Sequence, residues 1–386
     1  MKPLGDHYDA TFLRCQGHTG LILKVEVFKA REIIKASDES IWRRKGTQTL
    51  RVDTAEAIRR LELDKGIISF EDDVVNTSLA NVTNSTTVIG FMLNVVPSAD
   101  PEAWLRKQEL IANGRPTVAA ALLFHDEPQS VLPKRSAIKI YRYKTKDEAG
   151  SRDQLDGTPL TVEGCLYDLI YAAVSQTKSI IEGIQKLTDR GLEAIVYPDE
   201  TLHEIITNAV LHRDYSIQAD VHIRIYDNRV EVQSPERLPG HITTANILTE
   251  QAARNGRIVR LINKFPNPPN KDVGEGLNTA FDAMTALQLK TPEIVETDTS
   301  VILHIRHIPL ASPESAVMSY LENHAHITNS IARDLTGITS ENSMKEVFYR
   351  LRRSKLLEQV PELKGNKAAW RRWTGEVPDA YVEQSD

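Results

Sequence analysis

Polar positions recur every four residues between residues 202 and 215, where Glu204, Asn208 and His212 punctuate a helical stretch and so share one of its faces. A second helix is marked by apolar residues instead: Met344, Val347, Phe348 and Leu351 fall at i, i+3, i+4 and i+7. Val317, Tyr320 and Leu321 fit one helix before it, and Ile331, Ala332 and Leu335 fit another that Thr328 or Asn329 is placed to cap. Strand patterns cover residues 20–27, 222–226 and 229–233, the last two joined by an Asp227-Asn228 turn. Residues 41–49 read as a further strand with a turn, and 55–63 as a helix. Near the end, strands at 356–360 and 368–373 flank a turn at 364–367. A polar run from Asn76 to Thr87 precedes apolar residues 88–96, which read as a buried helix or strand. The Pro/Asn run at 265–271 excludes regular helix.

Composition adds an ordinary globular frame. The chain has 386 residues, 41% hydrophobic and 26% charged, enough to bury a core in two or three domains. No apolar run approaches the roughly 18 residues that cross a bilayer, and residues 1–6 lack the apolar centre of a signal peptide, so a cytoplasmic protein is expected. Cys15 and Cys165 are far apart and lack metal-ligand spacing, which predicts two small buried hydrophobes rather than a disulfide or zinc site. The net charge of −6 argues against wholesale coating by nucleic acid, but its distribution is uneven. Residues 340–373 hold nine Lys and Arg against four Glu, about +5, on a remainder of about −11.

Glu204 and Asn208 are the candidate chemistry. A carboxylate one turn before a carboxamide suits nucleotide hydrolysis, because the amide oxygen ligates Mg²⁺ while the carboxylate polarises a water. The same spacing also describes a solvated helix face. Gly274 and Gly276 precede a helix expected to begin near Leu277, where phosphate oxygens can approach backbone N–H groups at the positive end of the dipole. A Rossmann reading fails, since no third glycine follows and no strand immediately precedes. A protein-kinase reading of His212-Arg213-Asp214 fails too, because Ala219 stands where a metal-binding Asn is needed and no Asp-Phe-Gly follows. No Gly-x₄-Gly-Lys-Ser/Thr motif occurs, which argues against helicase activity.

Tyr197-Pro198-Asp199, Glu204, Asn208-Ala209, His212-Arg213-Asp214-Tyr215, then Asp227, Arg229, Glu231 and Leu238-Pro239 occur in that order. This series resembles the ATP-binding module of bacterial Schlafen/AlbA-type regulators, often described as RecG-like helicase-related proteins. That module is similar to the GHKL ATPase fold of gyrase and histidine kinases. The resemblance implies an α/β (α+β) fold with a GHKL-like α/β sandwich, ATP and Mg²⁺ as cofactors, Glu204 as general base and Asn208 as the Mg²⁺ ligand. It further implies that Arg254 and Asn255 belong to the lid region, that Gly274 and Gly276 cradle phosphates, and that His212 bonds backbone or phosphate-side groups. Residues 115–119 with Leu122, Leu123 and Phe124 look like the family's linking segment ahead of a buried strand. Residues 41–49 look like the second half of a Schlafen/AlbA domain. The half that carries the family's acidic and basic cleavage positions has no counterpart, so nuclease activity is not carried over. One departure stands out: Ser234-Pro235 is followed by Glu236 where the family has glycine, and an anion there is unfavourable near a triphosphate unless it is paired, with Arg237 the expected partner.

Three helices followed by a hairpin read as a winged helix-turn-helix, which also serves as a protein-docking module. As a DNA binder it would place its third helix in the major groove, with Asn342, Ser343 and Lys345 near the bases and Lys367, Arg371 and Arg372 on phosphates. The expected plan is a partial Schlafen/AlbA-like domain at 1–75, a linking segment at 76–150, the ATP module at 151–310, the winged helix at 311–375 and an acidic tail at 376–386. The expected function is an ATP-binding, DNA-associated transcriptional regulator, with slow Mg²⁺-dependent ATPase activity, double-stranded DNA as partner and a homo-oligomeric state. Two alternatives stay open: a non-enzymatic DNA-binding or assembly protein with a degenerate nucleotide site, and an effector of prokaryotic antiphage defence.

Overall fold

The computed structural model of the chain describes residues 8–14, 20–45, 47–132, 135–188, 191–269, 276–287, 289–306, 313–336, 338, 340–361, 363 and 368–373. It divides into two compact units, Met1–Ile308 and Pro309–Asp386. The fold is mixed α/β. The expected divisions at 75 and 150 both fall inside the first unit.

A six-stranded mixed sheet organises that unit, in the order Glu293–Glu296, Val301–Arg306, Arg229–Ser234, Val221–Ile225, Ile138–Arg142, Leu160–Val162. Every pairing is antiparallel except that of Val221–Ile225 with Ile138–Arg142. Alternation explains the burial: Val221, Ile223 and Ile225 are buried while His222 and Arg224 are half-exposed, as one covered sheet face requires. Helices Leu166–Glu182 and Asp199–Leu211 pack against the sheet, and Gly276–Ala286 packs against the latter. Thr201 Oγ1 donates to the Ala280 carbonyl at 3.3 Å, pinning those two helices together.

Before the sheet, the apolar 118–124 run forms the helix Val118–Phe124, all seven of whose residues are buried. Thr117 caps it by accepting from Ala120 N at 3.2 Å. The next strand is Ile138–Arg142, in which Ile138 and Ile140 are buried and the other three residues half-buried. The ambiguous 88–96 segment is a helix, Thr86–Val95, capped by Ser85. Phe91, Trp104, Phe124 and Phe265 pack ring against ring, so Phe265, which follows the helix Gly256–Ile262, is anchored in the core. Cys165 is buried, and Cys15 lies outside the described residues.

The helix Ala55–Lys65 stops at Gly66, whose φ of 70° is the left-handed C-cap conformation. Gly240, at φ 55°, brings its own loop so near that a Cβ would lie 3.4 Å from the Lys65 carbonyl. Strands Tyr8–Leu13 and Ile22–Val27 pair antiparallel and are largely exposed. Among the described residues no helix is long and apolar enough to cross a membrane.

The second unit contains helices Pro313–Asn323, Asn329–Thr336 and Glu341–Arg353, with a three-stranded antiparallel sheet in the order Ile327–Thr328, Ala369–Arg372, Leu357–Gln359. Val317, Met344, Val347, Phe348 and Leu351 form its core, with Phe348 stacked on Trp370 at 5.2 Å. Of the two candidate caps for the middle helix, Thr328 accepts from Ile331 N at 3.4 Å. That helix departs from the expected apolar face: Ala332 is buried, but Ile331 and Leu335 are exposed. The turn at 364–367 and the tail at 376–386 lie outside the described residues.

Glu71 ties the early part of the first unit to the later loop. Its carboxylate accepts from Arg257 N at 2.9 Å and Ile258 N at 2.8 Å, satisfying the first turn of Gly256–Ile262. Glu71→Ala leaves both amides without that partner and is expected to lower the stability of the unit by about 1–3 kcal/mol. Urea denaturation followed by tryptophan fluorescence checks this; an unchanged midpoint would show that water replaces the carboxylate.

Candidate functional site

The helix Asp199–Leu211 buries Leu202, Ile205, Ile206, Ala209 and Val210 and leaves Glu204, Asn208 and His212 half-buried along the opposite stripe. Asn208 Nδ2 donates to Glu204 Oε1 at 2.6 Å. This bond fixes both side chains and presents the amide with its carbonyl end turned away from the carboxylate. The C-terminus of the helix is fastened to the end of Arg229–Ser234: Ser234 Oγ donates to the Ala209 carbonyl at 3.0 Å, and Asp214 N to the Pro235 carbonyl at 3.1 Å.

A cavity of about 340 Å³ opens beside this stripe, within the usual range for small-molecule sites. Glu204, Asn208, His212, Glu236, Glu250 and Asn278 supply polar lining. Leu238, Ile242, Ile247, Val301 and Leu303 supply an aliphatic one. Leu277 and Asn278, next to the start of Gly276–Ala286, also line it, which places a helix N-terminus at the cavity. Gly274 lies outside the described residues, and of Gly276 only its place at the head of that helix is described.

Arg254 and Asn255 are placed beside the cavity rather than among its lining residues. Arg254 donates to the carbonyls of Leu63 and Arg237, and Asn255 Nδ2 donates to those of Leu211 and Arg213 at 2.9 and 2.8 Å. Arg254 Nη1 also lies 3.7 Å from Asp214 Oδ2, which accepts from Arg60 Nη2 at 2.5 Å. Burial works against ionised Asp214, but Arg254, Ser216 and Arg60 together hold its pKa below the usual carboxylate range. Arg213 is buried and donates to the carbonyls of Arg135 and Ala219. Tyr215 is buried, as expected of a core residue.

Other motif positions have structural partners. Asp227 pairs with Arg142, and Arg229 pairs with Glu231 at 2.7 Å while holding the carbonyls of Asp147 and Glu148. No motif or spacing points to Lys29, whose Nζ donates to the carbonyls of Leu238 and Ile242 at 2.6 and 2.9 Å and so grips the loop beside the cavity.

Two titratable groups on the cavity wall are displaced from their ordinary behaviour. Desolvation, assisted by Arg254, pushes the His212 pKa down to about 4, so the imidazole is neutral at neutral pH. Desolvation raises the Glu236 pKa to about 8, with Arg254 and Ser234 opposing the shift. The expected Glu236–Arg237 pair is not formed. Arg237 Nε lies 4.0 Å from Glu296, and among the described residues no cation stands within ion-pair distance of Glu236. An unpaired carboxyl in an enclosed wall keeps its proton instead.

In the second unit, three of the expected DNA-facing cations have carboxylate partners: Lys345 with Glu341 at 2.7 Å, Arg371 with Glu358 at 2.7 Å and Arg372 with Glu322 at 3.2 Å. Asn342 and Ser343 are exposed at the start of Glu341–Arg353, and Lys367 lies outside the described residues. Arg352 and Arg353, exposed at the end of that helix, have no carboxylate partner among the described residues.

Comparison with known proteins gives one family match. Residues 218–305 match an ATPase-type family model described as "Putative ATP-dependent DNA helicase recG C-terminal". The matched span contains four strands of the central sheet and the Gly276–Ala286 helix, and starts after Glu204 and Asn208. No curated protein matches the chain. Among solved structures, the DIP2311 protein from Corynebacterium diphtheriae is similar at 17% identity and a TM-score of 0.48, over 96% of this chain and 77% of that one.

Glu236 makes stability depend on pH with a definite sign. The native state holds a proton that the unfolded chain releases above about pH 4.5, so stability falls as pH rises from there to about 8. Glu236→Gln removes this contribution and is expected to gain on the order of 2–4 kcal/mol relative to the parent near pH 8, with little gain near pH 4. Urea midpoints across that range check it, and parallel profiles for the two proteins refute it.

Proposed function

We propose that the first unit binds ATP with Mg²⁺ in the cavity and hydrolyses it slowly. The observation that carries this reading is the Asn208–Glu204 hydrogen bond on the wall of a cavity that also receives a helix N-terminus. The match of residues 218–305 to an ATPase-type family model supports it independently.

The residues present suit the group. Asn208 would offer its amide oxygen to Mg²⁺, and one protein ligand is sufficient because Mg²⁺ in such sites is held mainly by phosphates and water. The chemistry that Mg²⁺ held by Asn208 would supply is neutralisation of charge on the phosphate oxygens. Glu204 orients and deprotonates a water, held at a fixed distance from the amide by the same hydrogen bond that fixes Asn208. Backbone amides at the start of Gly276–Ala286 receive phosphate oxygens. His212 stays neutral and contributes no charge to the wall. The loop carrying Leu238, Ile242 and Ile247 closes the aliphatic side, and Lys29 couples that loop to the early part of the unit.

Calorimetric titration tests the reading. Wild type is expected to bind ATP in a Mg²⁺-dependent way, and Asn208→Ala to weaken that binding at least tenfold. Glu204→Ala is expected to retain binding while phosphate release falls by roughly 10²–10⁴-fold. Binding that is equally strong with and without Mg²⁺, or unchanged in Asn208→Ala, removes the assignment.

For the second unit we propose that it is a winged helix-turn-helix that docks on duplex DNA and that nucleotide binding regulates this contact. Three helices, a small antiparallel sheet and the exposed polar face of Glu341–Arg353 support the proposal. Lys345, Arg371 and Arg372 must leave carboxylate partners to reach phosphate, whereas Arg352 and Arg353 need not. Arg352→Ala with Arg353→Ala is therefore expected to flatten the salt dependence of DNA affinity by about 2 in log–log slope, more than the Arg371→Ala, Arg372→Ala pair. Fluorescence anisotropy over a salt series measures this; affinity that is absent or insensitive to salt points to a protein partner instead.

A further inference from the structure

The central sheet has a second face that the nucleotide reading does not use. Val301 and Leu303 line the cavity from the helix-covered side, and along each strand the alternate positions point the other way. On that side Lys139 stands beside His222, and Tyr141 beside Arg224, in the register of the parallel pair. All four are half-exposed, and Thr161, next to Lys139 on the edge strand, is exposed. The rings form a continuous array. Tyr141 lies 5.7 Å from His222 and 6.2 Å from Tyr143 between centroids, and Tyr143 stacks on the buried Tyr226, over which Arg229 sits at 3.8 Å. The buried end of the array fixes the exposed end.

The cations of these strands are unevenly matched. Arg142 pairs with Asp227, Lys144 with Asp156, Arg229 with Glu231 and Arg306 with Glu293. Lys139 and Arg224, in the middle of the open face, have no carboxylate within ion-pair distance among the described residues. Lys139 Nζ donates to Thr161 Oγ1 at 2.6 Å instead. Glu231 is opposite Arg224 in register, yet its carboxylate is taken by Arg229 at 2.7 Å and lies 3.5 Å from His304. Asp220, which also acts on His222, is buried and accepts from Ala137 N at 3.1 Å. Burial and the neighbouring Arg224 lower the pKa of His222, so its ring is neutral at neutral pH. The middle of the face thus combines two neutral rings with two positive charges that have no ion-pair partner.

We propose that this open face binds single-stranded nucleic acid, with bases stacked on Tyr141 and His222 and phosphates held by Lys139 and Arg224. Stacking on an aromatic ring accepts any base, and cations beside the rings hold the backbone, which is the combination found here. Rings favour a nucleic acid over an acidic peptide, whose carboxylates have no π-face to stack. Width excludes a duplex. Five strand spacings make the sheet about 24 Å across, while a major groove of about 12 Å admits one helix or a two-stranded ribbon. A single strand, its bases unpaired, lies flat on such a surface. The assignment is independent of the nucleotide site and of the duplex contact of the second unit, since it uses neither the cavity residues nor Arg352 and Arg353.

Fluorescence anisotropy of a labelled oligothymidylate of about 12 nucleotides, within the span of common single-strand sites, tests this on the full chain. Wild type is expected to bind it with strong salt dependence. Tyr141→Ala is expected to weaken binding roughly 5- to 100-fold, the worth of one base–ring stack, and Tyr141→Phe to bind like wild type. Tyr141→Leu fills the same place without a π-face, so it is expected to follow the Ala variant and separates stacking from a loss of folding. Lys139→Ala with Arg224→Ala is expected to lower the log–log salt slope by about 1.4, two contacts at about 0.7 each. The Arg352→Ala, Arg353→Ala pair is expected to leave the effect of Tyr141→Ala intact, and duplex affinity is expected to be the same in all three Tyr141 variants. Absence of oligothymidylate binding, or equal binding by the Phe, Leu and Ala variants, overturns the proposal. So does a labelled oligoglutamate that binds as tightly as the oligonucleotide and is released only by Lys139→Ala with Arg224→Ala, a result that would make the face a site for acidic peptides.

Discussion

The buried ion cluster of Arg254, Asp214 and Arg60 is the constraint around which the candidate site is arranged. Asp214 is 1% exposed and Arg254 5%, so neither charge is hydrated, and the two must satisfy one another and their hydrogen-bonding capacity. They do so with groups drawn from four separated stretches of sequence. Arg60 comes from the Ala55–Lys65 helix, Asp214 from the segment after Asp199–Leu211, Arg254 from the loop before Gly256–Ile262, and the Arg237 carbonyl from the turn after the Arg229–Ser234 strand. Removing Asp214 leaves Arg254 buried without a carboxylate, which is far more costly than losing an exposed pair, whereas loss of either arginine leaves Asp214 with the other. The cavity wall therefore inherits its rigidity from a cluster that does not itself line the cavity.

That arrangement also fixes the electrostatics of the wall. Arg254 is close enough to help suppress protonation of His212, yet it stabilises ionised Glu236 less than burial destabilises it. Its guanidinium is already engaged by Asp214 and two backbone carbonyls, so little of its field remains for a second carboxylate. The result is a wall on which both the imidazole and Glu236 are largely neutral at neutral pH. A glutamate where the resembling family has glycine looked in the sequence like a defect in an anion site. In the folded chain it is a neutral hydrogen-bonding group, and the objection based on its charge is removed.

How much of this was legible beforehand varies with the physical range of the interaction. The Glu204/Asn208 stripe could be read because a helix turns spacing directly into proximity, and the Met344 to Leu351 pattern could be read for the same reason. The mixed α/β character came with the resemblance to the GHKL-like ATP module rather than from periodicity. Burial of Val118–Phe124 as a helix was harder, since a short apolar run does not reveal its period. Exposure of Ile331 and Leu335 was not visible at all, because which side of a short helix is covered depends on its neighbours rather than on its own residues. Glu71, Lys29 and Arg60 gave no signal for the same reason: each is placed by a partner more than 150 residues away in sequence, although Arg60 also pairs with Asp64 one helical turn on. The ion pairs of Lys345, Arg371 and Arg372 show the converse, that a count of basic residues does not say which are already neutralised by nearby carboxylates.

The span that matches the ATPase-type family, residues 218–305, is therefore smaller than the structure on which the candidate site depends. Glu204 and Asn208 precede it, and Arg60, Glu71 and Lys29 precede it further. Lys29 holds the carbonyls of Leu238 and Ile242, both cavity residues, while Gly66 and Gly240 adopt left-handed conformations where the end of Ala55–Lys65 meets the same loop. A side chain at Gly240 would strain the backbone at its positive φ and place a Cβ in van der Waals contact with the Lys65 carbonyl oxygen, so this close approach is specified by the glycine. Residues 20–75 thus act on the loop beside the cavity through backbone contacts that need no ligand. Any ligand that repositions the 238–242 loop must also work against Lys29 and Gly240, and in that way a change at the cavity reaches the early part of the unit without a dedicated relay.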